Sequence, residues 1–151
     1  MVNLDVIDLS AYIVDKSKNE ITNLKLQKIL YYFKGYFLKY FNEEIFLDDI
    51  YCWQYGPVVP SAYYRFSRYG SQFLPASESG NVYFDSDHLK LAQDIIDKCE
   101  KYKTSELVEK THNELPWKSV QIGQKIPKNI ISSFFKNYDP LEIKYGAIGI
   151  N

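Results

Sequence analysis

The sequence predicts a mainly α-helical protein, folded as a single compact domain that contains a small two-stranded β element. Three observations support this fold class. Apolar residues recur at helical spacing in several separate segments. The block Trp53–Pro60 holds one glycine and two prolines, so a helix cannot run through it. A chain of 151 residues is long enough for one core and too short for two ordinary domains.

Two helices are predicted before that block. Val6, Leu9 and Ile13 indicate a helix over residues 4–17 with one buried face. Thr22 or Asn23 is expected to cap a longer helix that runs to about Phe41. Its predicted buried stripe is Leu26, Ile29, Leu30, Phe33, Phe37 and Tyr40. A neighbouring stripe of the same helix carries Lys25, Lys28, Tyr32 and Lys39.

The block Trp53–Pro60 is apolar although it cannot be helical, which is typical of a rigid packed turn. Pro57 and Pro60 lack an amide proton, and Gly56 allows backbone conformations closed to other residues. The residues just before it, 50–53, are predicted to be a short strand. A second strand over Val82–Phe84 is expected to pair with the first.

The remaining segments read as helices and a loop. Pro60 suits the first turn of a helix that continues through Tyr69 and ends at Gly70, and residues 71–80 read as a loop. Asp85 or Ser86 is expected to cap the next helix, with Leu91, Ala92, Ile95 and Cys99 on its buried face. Thr104 is expected to cap another helix, stopped by Pro116, and Pro127 to open the last. We therefore divide the chain into a domain over 1–138 and a short tail over 139–151.

Composition and charge limit the classes of function that the chain can have. The chain has 14 Tyr, 9 Phe and 2 Trp, which can line wet interfaces as well as a core. Its net charge of −1 argues against a nucleic-acid partner, because dedicated nucleic-acid binders carry a basic surplus. No apolar run is long enough for membrane insertion. No signal peptide is apparent, so we expect a cytoplasmic location. Cys52 and Cys99 form no Cys-x-x-Cys pair, so we expect no metal site, and the cytoplasm disfavours a disulfide.

Convergent catalytic groups are not visible in the sequence, so we expect no enzymatic activity and no cofactor. His88 reads as a residue at the edge of an apolar helix face, and His112 as a hydrogen-bonded core histidine. The adjacent carboxylates in Glu43-Glu44 and Asp48-Asp49 diverge on any regular element, so they read as solvated loop charge. A small enzyme with its site around His112 is the alternative.

Two groups of residues are candidates for a partner-binding surface. One is the stripe Lys25, Lys28, Tyr32 and Lys39, which also reads as lysines solvated along a core helix. The other is Tyr64, Arg65 and Arg68, because Arg and Tyr are preferred anchors of protein interfaces. A nucleic-acid regulator that uses the basic stripe is one alternative. An inhibitory tail after Asp139 is another.

Three sequence blocks, in order, resemble the Panacea domain family, also called the antitoxin SocA-like family, which is common in phage-associated proteins. The resemblance extends from Leu9 to Trp117. The first block is residues 21–32, with Leu24 and Leu26. The second contains Trp53, Tyr55, Gly56, Pro57 and Val58, and the third contains Thr111, His112, Glu114, Pro116 and Trp117.

This resemblance implies an antitoxin that neutralises a cognate protein toxin by direct contact, within a type II toxin–antitoxin system. The toxins of similar proteins include small-alarmone-synthetase-like enzymes. One branch of the family looks like a proteolytic adaptor that delivers its toxin to a AAA+ protease, so a protease is a second implied partner. The resemblance implies no catalytic residues. We interpret the matched motif residues as builders of the fold.

Overall fold

One long helix organises the molecule. The computed structural model describes residues 3–76 and 82–145. Its elements are α1 (Val6–Lys16), α2 (Asn23–Phe41), β1 (Tyr51–Trp53), β2 (Gly56–Val58), α3 (Pro60–Arg65), a 3₁₀ turn (Ser67–Tyr69), α4 (Ser86–Glu100), α5 (Thr104–His112), α6 (Leu115–Lys118) and α7 (Lys128–Asn137). The fold is therefore mainly helical with a small antiparallel sheet, as predicted.

Helix α2 runs through the centre of the protein. Thr22 caps it by accepting a hydrogen bond from the Lys25 amide at 3.2 Å. It ends at Phe41, before Asn42 in the left-handed conformation. Helices α1, α3, α4, α5 and α7 and strand β2 all pack against it. Every residue from Lys25 to Leu38 is consequently buried, far more than one amphipathic face.

Most other helix boundaries lie where local sequence signals predicted them. Pro60 is in the first turn of α3, and the Asp85 carboxylate caps α4 by accepting from the His88 amide at 3.0 Å. One cap is shifted: Lys103 is the N-cap of α5 and Thr104 its first residue. The helix expected to reach Tyr69 ends at Arg65, followed by the 3₁₀ turn and Gly70. The helix expected to be stopped by Pro116 already ends at His112, and Pro116 lies in the first turn of the separate helix α6.

The predicted pairing of strands is wrong. Residues 82–84 are not a strand, and Phe84 instead packs its ring against Tyr12 at 5.2 Å. The partner of β1 is β2, which lies inside the Gly-Pro block, with Trp53 opposite Gly56. The two strands of a tight hairpin are close together in sequence, so β1 pairs with β2 rather than with the more distant residues 82–84.

Residues 139–145 pack on the helices. Leu141, Ile143 and Tyr145 are buried. The Asp139 carboxylate accepts hydrogen bonds from the Tyr36 hydroxyl at 2.6 Å and from the amides of Ile143 and Lys144. Burial alone would raise the pKa of Asp139, but these hydrogen bonds outweigh it and hold the pKa below its ordinary value. This part of the expected tail is thus docked on the domain.

Two predicted segments extend beyond the described residues. They are positions 77–80 of the expected loop and positions 146–151 of the expected tail. Within residues 3–76 and 82–145, no helix combines the length and apolarity needed to cross a membrane.

Candidate functional site

The β1–β2 hairpin depends on a glycine at its closing position. Gly56 has a φ of +114°, which L side chains rarely adopt. A Cβ atom here would lie 2.5 Å from Cε of Lys28 and 2.9 Å from Oγ1 of Thr111. Only glycine therefore lets the hairpin approach both α2 and α5 this closely.

Polar side chains from α2 bind the backbone that follows the turn. Nζ of Lys28, fully buried, donates to the Pro57 carbonyl at 3.0 Å, and Oε1 of Gln27 accepts from the Val59 amide at 2.9 Å. Burial lowers the pKa of Lys28 to about 7, because removing the ammonium group from water disfavours its charged form. The long helix thus fixes the hairpin through side-chain hydrogen bonds to its main chain.

The third sequence block closes over the same hairpin. Nε1 of Trp117 donates to the Trp53 carbonyl at 2.8 Å, and Nε2 of His112 lies 3.0 Å from the Gln54 carbonyl. The rings of His112 and Trp117 are 4.1 Å apart. His112 is half-buried and hydrogen-bonded, close to its expected structural role. The three blocks therefore meet at one place in the fold.

A buried carboxylate of the third sequence block lies behind this junction. Glu114 accepts hydrogen bonds from the hydroxyls of Tyr31 at 2.9 Å and Tyr32 at 2.8 Å. Burial raises its pKa, against the opposing effect of these hydrogen bonds and of Lys110. A lone Glu in a loop-like stretch gives no sequence signal that two core tyrosines will face it.

The solvent side of the hairpin forms an open groove of about 660 Å³, which we call the hairpin groove. Its apolar walls include Leu24, Trp53, Tyr55, Val58, Tyr63 and Ile122. Thr22, Ser71 and Thr104 also line it, and none of its described lining residues carries a formal charge. Its size and apolar lining are those of a binding cleft.

Exposed aromatic rings continue from the groove onto α3. The Tyr64 side chain is 65% exposed and Tyr55 is 57% exposed. Trp53, Tyr63 and Tyr64 contact one another, with ring centroids 5.1 to 5.9 Å apart. These contacts hold large side chains in place at the surface, which lowers the entropy lost when a partner binds. We call Tyr55, Trp53, Tyr63, Tyr64 and Ile122 the hairpin face.

The predicted partner-binding residues divide into two groups. Tyr64, Arg65 and Arg68 are exposed, and in the sequence they lie between the groove residues Tyr63 and Gly70. Lys25, Lys28 and Tyr32 are buried, so the expectation that they form an exposed surface is wrong. Their ends bind protein groups: Nζ of Lys25 donates to the Tyr102 carbonyl, and the Tyr32 hydroxyl to Glu114.

The fourth member of that stripe is also engaged. Lys39 is half-buried and donates from Nζ to the Tyr138 carbonyl at 2.9 Å. The stripe is covered because five helices and a strand surround α2, a fact that its own periodicity does not reveal.

In residues 3–76 and 82–145, no three His, Cys, Asp or Glu side chains group as a metal site would require.

Comparison with known proteins agrees with these features. A family model described as "Antitoxin SocA-like, Panacea domain" matches residues 26–118, which is more than half of the chain and contains the hairpin, its α2 contacts and the third block. No curated protein and no solved structure matches the chain. The chain belongs to the SocA-like antitoxin family and carries its Panacea domain.

Proposed function

We propose that this chain is the antitoxin of a type II toxin–antitoxin pair and neutralises a cognate protein toxin by binding it directly in the cytoplasm. The observation that carries the proposal is the match of residues 26–118 to an antitoxin family. An enzyme of the small-alarmone-synthetase class is the toxin type that the family resemblance suggests. A bound antitoxin would then act by covering or distorting the substrate site of that enzyme.

The hairpin face and the arginines beside it are the proposed contact surface. Both arginines of the chain, Arg65 and Arg68, are exposed at the end of α3 and in the following turn. Arg65 directly follows Tyr64, the most exposed ring of the hairpin face, and the Arg68 guanidinium lies 5.0 Å from the centre of the Tyr69 ring. Tyr, Trp and Arg supply most hot spots of protein interfaces, because each buries a large, partly polar side chain. This combination supports binding to a protein.

Co-expression tests the proposal. The open reading frame beside this chain's gene is expressed alone, together with the wild-type chain, and together with a Tyr64→Ala/Arg65→Ala variant. We expect growth arrest in the first case, rescue in the second and weakened rescue in the third. Tyr83→Ala is the matched control, since Tyr83 is 84% exposed and lies outside the hairpin face. Arrest that the wild-type chain does not relieve contradicts the proposal.

A further inference from the structure

We propose that Asn23 and Gln27, two buried residues of α2, are positioning residues that set the orientation of α3 and thereby the affinity of the hairpin face for its protein partner. This proposal rests on the proposed antitoxin function and adds to it two residues that lie beneath the contact surface. Asn23 is 2% exposed and Gln27 is completely buried. An effect of Gln27 on binding must therefore act through another part of the molecule.

Four hydrogen bonds join the first turns of α2 and α3 in a closed loop, which we call the α3 network. In α2, Nε2 of Gln27 donates to Oδ1 of Asn23 at 3.0 Å. At the start of α3, the Tyr63 amide donates to the carbonyl of Val59, the N-cap residue, at 2.9 Å. Between the helices, the Val59 amide donates to Oε1 of Gln27 at 2.9 Å, and Nδ2 of Asn23 donates to the Tyr63 carbonyl at 3.1 Å.

The main chain of α3 fixes the direction of every bond in the α3 network. The Val59 amide can only donate, so it requires the side-chain oxygen of Gln27. The Tyr63 carbonyl can only accept, so it requires the side-chain nitrogen of Asn23. The remaining nitrogen of Gln27 then meets the remaining oxygen of Asn23. Because a flipped amide at either position would oppose two donors or two acceptors, the two side chains act as one unit.

Helix α3 needs this support because it is short and shallowly buried. Of its six residues only Ala62 is buried. A helix of this length is not stable by itself, and its terminal amides and carbonyls need partners outside the helix. Val59 has no polar side chain to act as a cap, and the α3 network satisfies its amide and the Tyr63 carbonyl instead. The Ser61 hydroxyl also donates to the Asp48 carboxylate at 2.6 Å, but this second tether is exposed to water.

The orientation of α3 decides where the proposed contact residues lie. Tyr63 and Tyr64 belong to this helix, and the centres of their rings lie 5.1 and 5.9 Å from that of Trp53 in the hairpin. Arg65 is the last residue of the helix. A rotation of α3 would separate the rings and move Arg65 relative to the hairpin. Binding would then include the cost of ordering these groups, which the α3 network removes in advance.

Apolar substitutions of similar size test the role of the pair. Gln27→Met and Asn23→Leu remove the side-chain hydrogen bonds, and each full-length variant is titrated by calorimetry against the purified product of the neighbouring gene. The titrations are made well below every melting temperature, where nearly all chains are folded and lower stability alone leaves the dissociation constant unchanged. We expect each variant to weaken binding by about fivefold or more. The double variant should lose little more than either single variant, because the two side chains act as one unit.

Tyr36→Phe is the matched control. Tyr36 is also a buried residue of α2, and its hydroxyl accepts from the Leu141 amide at 2.8 Å and donates to Asp139 at 2.6 Å. It lies about 20 Å further along the helix than Asn23. We expect this variant to melt at a lower temperature and to bind as wild type. Wild-type affinity of folded Gln27→Met, or an equal loss of affinity in Tyr36→Phe, would overturn the positioning role.

Nuclear magnetic resonance of the chain alone separates this proposal from the antitoxin function. The indole N–H signals of Trp53 and Trp117 report on the surroundings of each ring. We expect Gln27→Met to shift the Trp53 signal more than the Trp117 signal, and Tyr36→Phe to shift neither. An unmoved Trp53 signal would show that α3 does not depend on the pair. If the Trp53 signal moves but the wild-type chain does not bind the neighbouring gene's product, the antitoxin function fails while the positioning of α3 stands.

Hydrogen exchange of the wild-type chain tests the α3 network without any variant. The Val59 amide donates to a completely buried side chain, so we expect it to exchange about a hundredfold or more slowly than an unprotected amide. Exchange of the Val59 amide at the unprotected rate would overturn the proposal, because Gln27 would then not hold the start of α3.

Discussion

Lys28 is the residue whose role depends most on its surroundings. Lysines on a helix normally extend to solvent, yet Nζ of Lys28 lies inside the protein and binds the carbonyl of Pro57. From sequence it reads as a surface cation, because it lies off the predicted buried stripe of α2, on the stripe that also carries Lys25 and Lys39. Only the hairpin packed above α2 turns it into an internal support for the motif.

The depressed pKa of Lys28 predicts how stability depends on pH. The pKa is about 7 in the folded protein and ordinarily 10.5, so between these values the unfolded chain binds more protons at this site. The free energy of unfolding then rises with pH, by up to about 1.4 kcal/mol per unit from this group. Lys28→Met removes this dependence.

Urea denaturation at several values between pH 7 and 9 measures the effect. We expect the unfolding free energy of the wild type, minus that of Lys28→Met, to grow steadily over this range. Lys34, whose pKa burial lowers to about 8, contributes equally to both proteins and cancels in the difference. Parallel pH curves for the two proteins would show that Lys28 is not buried as a titrating group.

Gly56 offers a second test at the residue scale. In Gly56→Ala an L side chain must adopt the unfavourable φ of +114°, and its Cβ atom would lie 2.5 Å from Cε of Lys28. In Gly123→Ala the φ of +95° is also unfavourable, but the added Cβ atom would have no neighbouring atom within 4 Å. Both variants incur conformational strain, but only the first also incurs a steric clash. We expect Gly56→Ala to lower the free energy of unfolding by about 1–3 kcal/mol more than Gly123→Ala. Equal losses by chemical denaturation would mean that the hairpin can move away from α2.

At the scale of elements, α2 shows which features a sequence can predict. Its start at Thr22 and its end at Phe41 follow from local capping and periodicity, and both predictions are confirmed. Burial of its second stripe, with Lys25 and Tyr32, was not predicted, because it depends on elements distant in sequence. Each of these polar atoms finds a partner only after those elements have packed.

The hairpin is a second element that the sequence predicts only in part. The Gly-Pro block correctly predicted a break in helical structure. It did not predict that Gly56–Val58 would itself be the second strand, since a proline within a short run argues against a strand. Pro57 is tolerated because the hairpin has only two strands, and its carbonyl binds Lys28 rather than a third strand.

The contact between α2 and α7 predicts a strong effect at Gly35. A Cβ atom there would lie 2.1 Å from the ring of Phe135, which is completely buried and cannot turn into solvent. We expect Gly35→Ala to lower the free energy of unfolding by about 1–3 kcal/mol. Adding Phe135→Leu should recover part of the loss, so the double variant is more stable than the sum of the single effects. Strict additivity in thermal denaturation would contradict this contact.

At the scale of the whole molecule, the three sequence blocks build one junction and leave one face open. Blocks that are far apart in the chain meet around Gly56, through Lys28 of α2 and Thr111 of α5. The matched motif is therefore mainly architectural on its inner side. On its outer side Trp53, Tyr55 and Val58 line the hairpin groove. An aromatic surface held in place by contacts of this kind suits a protein that acts by binding.

Order and spacing of the blocks were enough to predict the family from sequence. The location of the open face was not, because neither the groove nor the exposure of Tyr64 follows from any one helix. Tyr64, Arg65 and Arg68 remain a predicted contact surface, chosen from sequence for residue type and exposed in the structure. Ile122 was missed, since a lone apolar residue in a polar loop gives no signal of a groove.

The most direct test of direct neutralisation is the affinity of the purified chain for the product of the neighbouring gene. We expect calorimetry to give a dissociation constant of about micromolar or tighter for the wild type. Tyr64→Ala/Arg65→Ala should weaken binding by about tenfold or more with an unchanged melting temperature, because both side chains are exposed. Protection of cells by a wild-type chain that shows no binding to the purified toxin would contradict the account.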